Sequence, residues 1–461
     1  MKTKIFLIAG AIVATSGITL FSTAWNVSNS QPCCSDHASS SPHSRPLSGK
    51  SNGGFSVVGD AGEDAPKCVF MTAFEGKGLN QGDERNLPAR VVNATNIGMD
   101  WLMDAQNKDG GWGAGSHQRQ EIRDPHAVQS DPATTAMVAM AIRREGSTLS
   151  QGKYAGQLRE AMMYLLNAIE TSSPNSLNIT TLTGTQPQSK LGANIDVVLA
   201  SQCLGSMIKD LDQDPQMQRR LKMAVARCVE KISRGQSDNG SQQGNGWAGV
   251  LQSSFATSAL ETAKDAGIAV DDVVLDRSRD YQKKNINLKT NEVATESAAG
   301  IVLYSVSSST RASAKETAEA KQIVAKAKRE GKLANSEVNV DNLRKAGLSE
   351  DQAMKYNTAY QVNNAAKQMA QQDEVITGFG NNGGEEFLSY LQTGEGLILS
   401  KDSDWKKWYD KTTARLVGIQ NNDGSWSGHH CITSPVFCTA TCLLILSVNN
   451  DIDELTLNNK K

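Results

Sequence analysis

The densest group of metal-ligating and nucleophilic side chains is His429-His430-Cys431, followed by Cys438 and Cys442. Imidazole and thiolate are the ligands zinc takes in tetrahedral sites. On a helix, Cys438 and Cys442 would share one face, because residues four apart are neighbours there. His430, Cys431 and Cys438 are therefore the metal candidates. The alternative is a loop histidine pair beside buried cysteines that only fill space. None of the close zinc spacings is present, so no cofactor is expected, with zinc as the one exception to test. Asp131-Pro132 and Asp271-Asp272 are the other tempting acids. Asp131 precedes a proline and reads as a helix cap. Asp271-Asp272 lacks a third acid at diphosphate-binding spacing and reads as a solvated helix start. No nucleophile elbow, phosphate loop or paired-carboxylate motif stands out.

Charged residues make up 21% of the 461 residues, the hydrophobic set 39%, and the net charge is -2. Such a chain has no field to gather phosphates, which excludes nucleic acid as a partner. Lys2 and Lys4, an apolar run over 5–21 and the small residues Ser22-Thr23-Ala24 form a signal peptide at 1–24. The protein is expected to be periplasmic or extracellular. The alternative is an uncleaved membrane anchor at 5–21, the one route to membrane association. Eight cysteines (Cys33, Cys34, Cys68, Cys203, Cys228, Cys431, Cys438 and Cys442) are too sparse for a disulfide framework in so long a chain. Residues 25–85, rich in Ser, Gly, Pro and Asp, read as a disordered linker. A folded region at 86–450 and a polar tail at 451–461 follow.

Within the folded region the sequence repeats. Trp101-Leu102 leads to Gln106-Asn107-Lys108-Asp109-Gly110-Gly111-Trp112, and Leu416 leads to Gln420-Asn421-Asn422-Asp423-Gly424-Ser425-Trp426 with the same separations. A looser copy runs from Gln236 to Gly246-Trp247. After each loop comes an apolar stretch, expected to open as a helix at Ala133-Thr134, Ala256-Thr257, Ala294-Thr295 and Cys438-Thr439. The stretch before each loop is amphipathic. A helix with one apolar face lies on an outer wall, whereas one that is apolar all round must be buried. About six such hairpins can be counted. The Ala/Lys/Glu-rich segment 312–350 reads as a helical insertion packed outside them. Gln106, Gly110, Trp112, Trp247, Gln420, Gly424 and Trp426 are structural: glycine for the turn, glutamine for free backbone groups, indole for apolar contact.

Leu102-x3-Gln106-x3-Gly110-x-Trp112 and Leu416-x3-Gln420-x3-Gly424-x-Trp426 resemble the glutamine-tryptophan repeat of squalene-hopene and oxidosqualene cyclases. Trp101 supplies the aromatic before Leu, and Arg415 stands in its place in the last copy. The likeness covers about 88–448. It implies membership of the terpenoid-cyclase and protein-prenyltransferase superfamily: an all-α fold forming a single α/α toroid with inner and outer helices. Protonating cyclases carry Asp-x-Asp-Asp-Thr-Ala. Here 131–136 keeps Asp131 and Thr135-Ala136 but has Ala133 and Thr134 at the acid positions, so standard cyclase activity is not expected. The low aromatic content (5%) also disfavours carbocation steering.

The resulting expectation is an exported toroid that binds an apolar small molecule, isoprenoid- or lipid-like, or a peptide at the mouth of the ring. Residues flanking inner-helix starts are the binding candidates: Trp112, His117, His126, Asp131, His429, His430 and Cys431. Two alternatives stay open. One is an isoprenoid- or lipid-modifying enzyme using His429, His430 or Cys431. The other is an envelope scaffold whose 312–350 segment contacts a partner.

Overall fold

Amphipathic and uniformly apolar stretches alternate along the chain, and the structure turns that alternation into exposed and buried helices. The structure, a computed structural model, describes residues 87–402 and 404–448. The signal peptide, the linker, the tail and Cys33, Cys34 and Cys68 lie outside the described residues. Among the described residues there are fifteen α-helices, short 3-10 turns and isolated β-bridges, and no strand. No described helix is long and apolar enough to cross a membrane.

Six helices are buried nearly all round: α2 (Pro132–Arg144), α5 (Ile195–Met207), α7 (Gly249–Asp265), α9 (Val302–Arg329, in its first half), α13 (Gly384–Leu399) and α15 (Pro435–Leu446). Each packs on the next, α2 on α5, α5 on α7, α7 on α9, α9 on α13 and α13 on α15, and α15 packs on α2. More exposed helices cover them. α1 (Leu87–Asp104) lies on α15, α3 (Ala155–Thr171) on α2 and α5, and α6 (Pro215–Arg234) on α5 and α7. α8 (Asp272–Lys283) lies on α7 and α9, α11 (Glu350–Met369) on α9, and α14 (Trp405–Gly418) on α13, α15 and α1. Short helices α4 (Gln186–Leu191), α10 (Val340–Lys345) and α12 (Asp373–Ile376) complete the set.

The repeat loops join neighbouring helices in the same way each time. Trp112 and Trp426 are fully buried, and their indole N–H groups donate to Leu102 O and Leu416 O, both at 2.8 Å. Gln106 Nε2 donates to Gly110 O in its own loop and to Gln157 O of α3. Gln420 Nε2 likewise donates to Gly424 O and then to Ala94 O of α1, 326 residues away in sequence. In the looser copy Gln236 Nε2 donates to Val274 O of α8.

Several expectations need correction. In the third copy the place of Trp112 is taken by Gln242: its N–H donates to Ser253 Oγ, as that of Trp112 does to Thr135 Oγ1. Trp247, expected as a structural staple, is 38% exposed. α7 opens at Gly249, not Ala256-Thr257, because the polar run Gln252-Ser253-Ser254 is helical and buried. α9 opens at Val302, not Ala294-Thr295, because Ala299 and Gly300 take left-handed backbone (φ 52° and 80°) that interrupts a helix. Residues 312–329 continue α9 as one helix.

The apolar character expected of the buried helices holds for α2 and α15 and fails for α9 and α13. α9 buries Ser305, Ser307, Ser308, Ser309, Thr310, Arg311 and Ser313. Several of its hydroxyls bond back to the preceding turn, Thr310 Oγ1 to Val306 O and Ser313 Oγ to Ser309 O, whereas Ser305 Oγ reaches Ala294 O and Ser308 Oγ meets no partner. Buried charges are paired. Arg144 meets Glu395 at 2.6 Å, Arg311 meets Glu395 at 3.2 Å and Glu261 at 3.0 Å, and Arg279 meets Glu261 at 2.6 Å. This alternating chain ties α2, α13, α9, α7 and α8 together at the C-terminal ends of the buried helices. A cavity of about 110 Å³, lined by Arg144, Arg311 and Glu395 among others, lies there.

Candidate functional site

At the N-terminal ends of the same helices, the loop between Trp426 and α15 gathers side chains from four elements. Its approach to α13 depends on Gly383 and Gly384. A Cβ on Gly383 would stand 2.9 Å from His430, and one on Gly384 2.7 Å from Ile432 Cβ, so larger residues there would push the loop away. The contact is sealed by backbone: Gly384 N–H donates to Ile432 O at 3.0 Å, and His429 N–H to Asn382 O at 2.6 Å. Two residues on, Cys431 has φ 59°, a left-handed conformation that costs a non-glycine residue energy. Gln120 Nε2, which also contacts His117 Nδ1 at 2.7 Å, donates to Cys431 O. Gln186 of α4 accepts from Thr433 N–H at 2.7 Å and from Ser434 N–H at 3.0 Å.

Two consecutive acids open α13. Glu386 accepts from Tyr304 O–H at 2.5 Å, Phe379 N–H at 3.1 Å and Gly383 N–H at 2.9 Å, and His430 Nε2 lies 3.8 Å away. Glu385 accepts from Ile432 N–H through Oε2 at 3.3 Å, while its Oε1, fully buried, meets no partner. Burial, reinforced by the charge of Glu386, pushes the Glu385 carboxyl up to about 8. It is therefore a neutral acid near pH 7. Tyr304 is held protonated by burial and by Glu386 beside it.

The Cys431 thiol and the His429 and His117 imidazoles are shifted toward their neutral forms. Burial, then the nearby Glu385, raises the Cys431 thiol, and a hydrogen bond from Lys190 opposes that. Burial, then the neighbouring His430, lowers His429; burial, then Lys190, lowers His117. His430 Nε2 lies 3.3 Å from Asn381 O. A carbonyl only accepts, so Nε2 carries a proton, and Nδ1 meets no partner. Asn381 Oδ1 and Gln186 Nε2 are likewise buried without partners.

An aromatic rim flanks these groups. Phe379, 50% exposed, stacks at 4.9 Å on His430 and meets Trp247 edge-on at 5.7 Å. Lys190 Nζ sits 4.4 Å from the Trp247 ring centroid. Two partly exposed aromatics over buried, unpaired polar atoms make a surface suited to an apolar body with a polar head.

No family model, no curated protein and no solved structure matches this chain.

Of the residues nominated from sequence, the structure brings His429, His430 and Cys431 together, with His117 linked to them through Gln120. It keeps three apart. Trp112 is wholly buried in its repeat loop. His126 is exposed on a short turn at Pro125–Ala127. Asp131 caps α2, accepting from Ala114 N–H, Thr134 N–H and Thr134 Oγ1, and is pushed up to about 7 by burial and by nearby Asp196. Cys438 is buried with Sγ 3.4 Å from Ile432 O, and Cys442 is buried below it. Among the described residues no group of three or more His, Cys, Asp and Glu is placed to hold a metal ion. Sequence reasoning missed Glu385, Glu386, Tyr304, Lys190 and Phe379. The readable signal was Gly383-Gly384-Glu385-Glu386: two acids directly before an apolar run, after two glycines that permit close packing.

Proposed function

We propose that the protein is an exported α/α toroid that binds an apolar ligand at the rim formed by Trp247, Phe379, His430, Cys431 and Lys190. The toroid reading is supported by Gln420. The glutamine of each repeat reaches the next outer helix, and that of the last repeat reaches α1, the first. Packing of α15 on α2 closes the inner circuit in the same sense. In that arrangement the rim stands at the mouth where the inner helices begin.

The observation that carries the binding reading is the coincidence of exposed aromatic faces with buried polar atoms that have no partner inside the protein. Single exposed apolar residues are ordinary, but unpaired buried polar atoms are costly and call for an occupant. The test is extraction and mass analysis of the protein taken from its native envelope, beside a W247A/F379A double variant. An apolar molecule in stoichiometric amount, absent from the variant, is the expected result. No co-purifying molecule, and no thermal shift with added polyprenyl or acyl chains, would overturn it.

A second reading has one observation in its favour. Glu385 places a buried, neutral carboxyl at an inner-helix start, the kind of acid that 131–136 lacks. An isoprenoid- or lipid-modifying enzyme would then use Glu385 as its acid. Product analysis after incubation with a polyprenyl substrate, comparing wild type with E385Q, distinguishes turnover from binding alone.

A further inference from the structure

Glu385 and Glu386 are neighbouring buried carboxyls with unequal sets of hydrogen bonds. Glu386 accepts from Tyr304, Phe379 and Gly383. Glu385 accepts only from Ile432 N–H, through Oε2. Burial pushes the Glu385 carboxyl up to about 8, so Glu385 is an acid near pH 7. An N–H on Oε2 makes that atom the carbonyl oxygen, so the proton belongs on Oε1, the oxygen without a partner. The result is a buried O–H donor with nothing in the protein to accept it.

Three more unpaired atoms sit on side chains bound to the same loop or to its partner turn. Gln186 Nε2 is a second donor; its Oε1 is taken by Thr433 and Ser434. Asn381 Oδ1 is an acceptor, and His430 Nδ1 meets no partner. Leaving buried donors and acceptors unmatched costs about 1–3 kcal/mol each, which a hydrocarbon occupant would not relieve. An anion would meet Glu386 and a neutral acid, with Lys190 already engaged by the Cys431 thiol and the Trp247 face. Two donors and an acceptor beside an aromatic rim match a group that carries both functions and no charge.

Building on the binding reading above, we propose that the site takes an apolar chain bearing a neutral amide, and that Glu385 holds it by donating its carboxylic O–H to the amide oxygen. Gln186 adds a second N–H to that oxygen, and Asn381 Oδ1 accepts the amide N–H. The aromatic faces of Trp247 and Phe379 receive the chain. The groups facing Glu385 are Glu386 on its own helix, Lys190 from α4, Tyr304 from α9, His430 and Cys431 from the loop, and Cys438 from α15.

The experiment is calorimetric titration of the full chain with N-octylacetamide, n-octane and octanoate at pH 6.5 and pH 9.5, for wild type, E385Q and E385L. The amide should bind wild type at least tenfold more tightly than octane or octanoate at pH 6.5. It should lose at least tenfold by pH 9.5, where Glu385 ionises and its donor is gone. E385Q keeps an N–H donor, so it should bind the amide within about threefold of wild type at both pH values. E385L should lose the preference for the amide; should it fail to fold, the contrast between wild type and E385Q across pH decides alone. Equal binding of amide and octane, insensitive to pH and to E385Q, would overturn this assignment while leaving the apolar site standing. Binding of none of the three probes would overturn the apolar site and the assignment with it.

Discussion

Trp112 and Thr135 exchange two hydrogen bonds: Trp112 N–H donates to Thr135 Oγ1 at 2.9 Å, and the same hydroxyl donates back to Trp112 O at 3.1 Å. Trp426 and Thr439 repeat the exchange at 2.8 and 3.3 Å. One hydroxyl on a buried helix thus satisfies both backbone groups of the tryptophan in the loop before it, while the indole N–H is satisfied by the helix before that. Threonine is required because valine, its isostere, supplies neither donor nor acceptor.

T135V should therefore cost about 2 kcal/mol, the penalty for stranding the buried Trp112 N–H, while Trp112 O keeps the Asp131 N–H at 2.8 Å. T439V should cost a similar amount. The two threonines share no hydrogen-bond partner, so urea denaturation of the double variant should show losses that add to within about 0.5 kcal/mol. Coupling well beyond that would mean the two copies are not independent units.

Glu385 and Asp131 give stability a pH dependence of unusual sign. Both are buried acids whose carboxyls are raised, to about 8 and about 7, from ordinary values of 4.5 and 3.8. Below those ordinary values both states hold the protons and nothing is lost. Between about pH 4 and pH 8 the unfolded chain releases protons that the native protein keeps, so each rise in pH favours unfolding. Stability should fall by a few kcal/mol across that window. E385Q cannot ionise and should flatten the upper half of the curve, leaving the variant more stable than wild type at pH 9. Thermal melts from pH 4 to pH 9 check this; equal slopes for the two proteins would show that Glu385 is not a buried neutral acid.

The repeats were legible because their geometry is local. Gln106, Gly110 and Trp112 act within a few residues of one another, and Gln420, Gly424 and Trp426 do the same, so identical spacing in sequence becomes identical bonding in space. His429, His430 and Cys431 were legible as polar residues in a loop leading to a buried helix. Glu385 was not, because its state depends on Glu386 taking donors from Tyr304 and Phe379, which are distant in sequence or in a turn without a motif. Trp247 misled for a related reason. Its Gly-Trp pair matches the repeat, yet the register of the third loop is set by the turn at Gly240, which puts Gln242 where the indole would stand. Buried ion pairs were hidden too: Arg311 in a Ser- and Ala-rich run looks like a solvated residue until α7 and α13 bring Glu261 and Glu395 to it.

Those ion pairs act at the other end of the pH scale. Despite burial, the Lys315, Arg279 and Arg311 charges hold Glu261 down at about 2, and Arg144 with Arg311 lowers Glu395. Their stabilisation is present above the ordinary carboxylate value and lost as pH falls from about 4.5 toward 2. R311M removes the shared partner of two buried acids, each of which keeps one arginine. A cost of about 3 kcal/mol at pH 6 is expected, the low end for breaking a buried pair. The difference from wild type should shrink as pH falls below about 4.5. A constant difference across that range in urea titrations would show that Arg311 acts through packing instead.

Trp247 and Trp426 should separate binding from stability. Trp426 is fully enclosed, its ring within 2.8 Å of where a Cβ on Gly98 would stand, so nothing can refill its space without moving α1. W426A should cost about 3–5 kcal/mol, the range for deleting a large buried aromatic, and should abolish binding only by unfolding the protein. Trp247 touches Phe379 and Lys190 at a partly exposed rim, and its removal opens no enclosed cavity. W247A should change the urea midpoint little, a loss of about 1 kcal/mol or less, yet weaken an apolar ligand by about tenfold or more, as loss of an aromatic anchor does. If W247A instead melted like W426A, the indole would be a structural staple after all, and the rim would lose its strongest claim to a ligand.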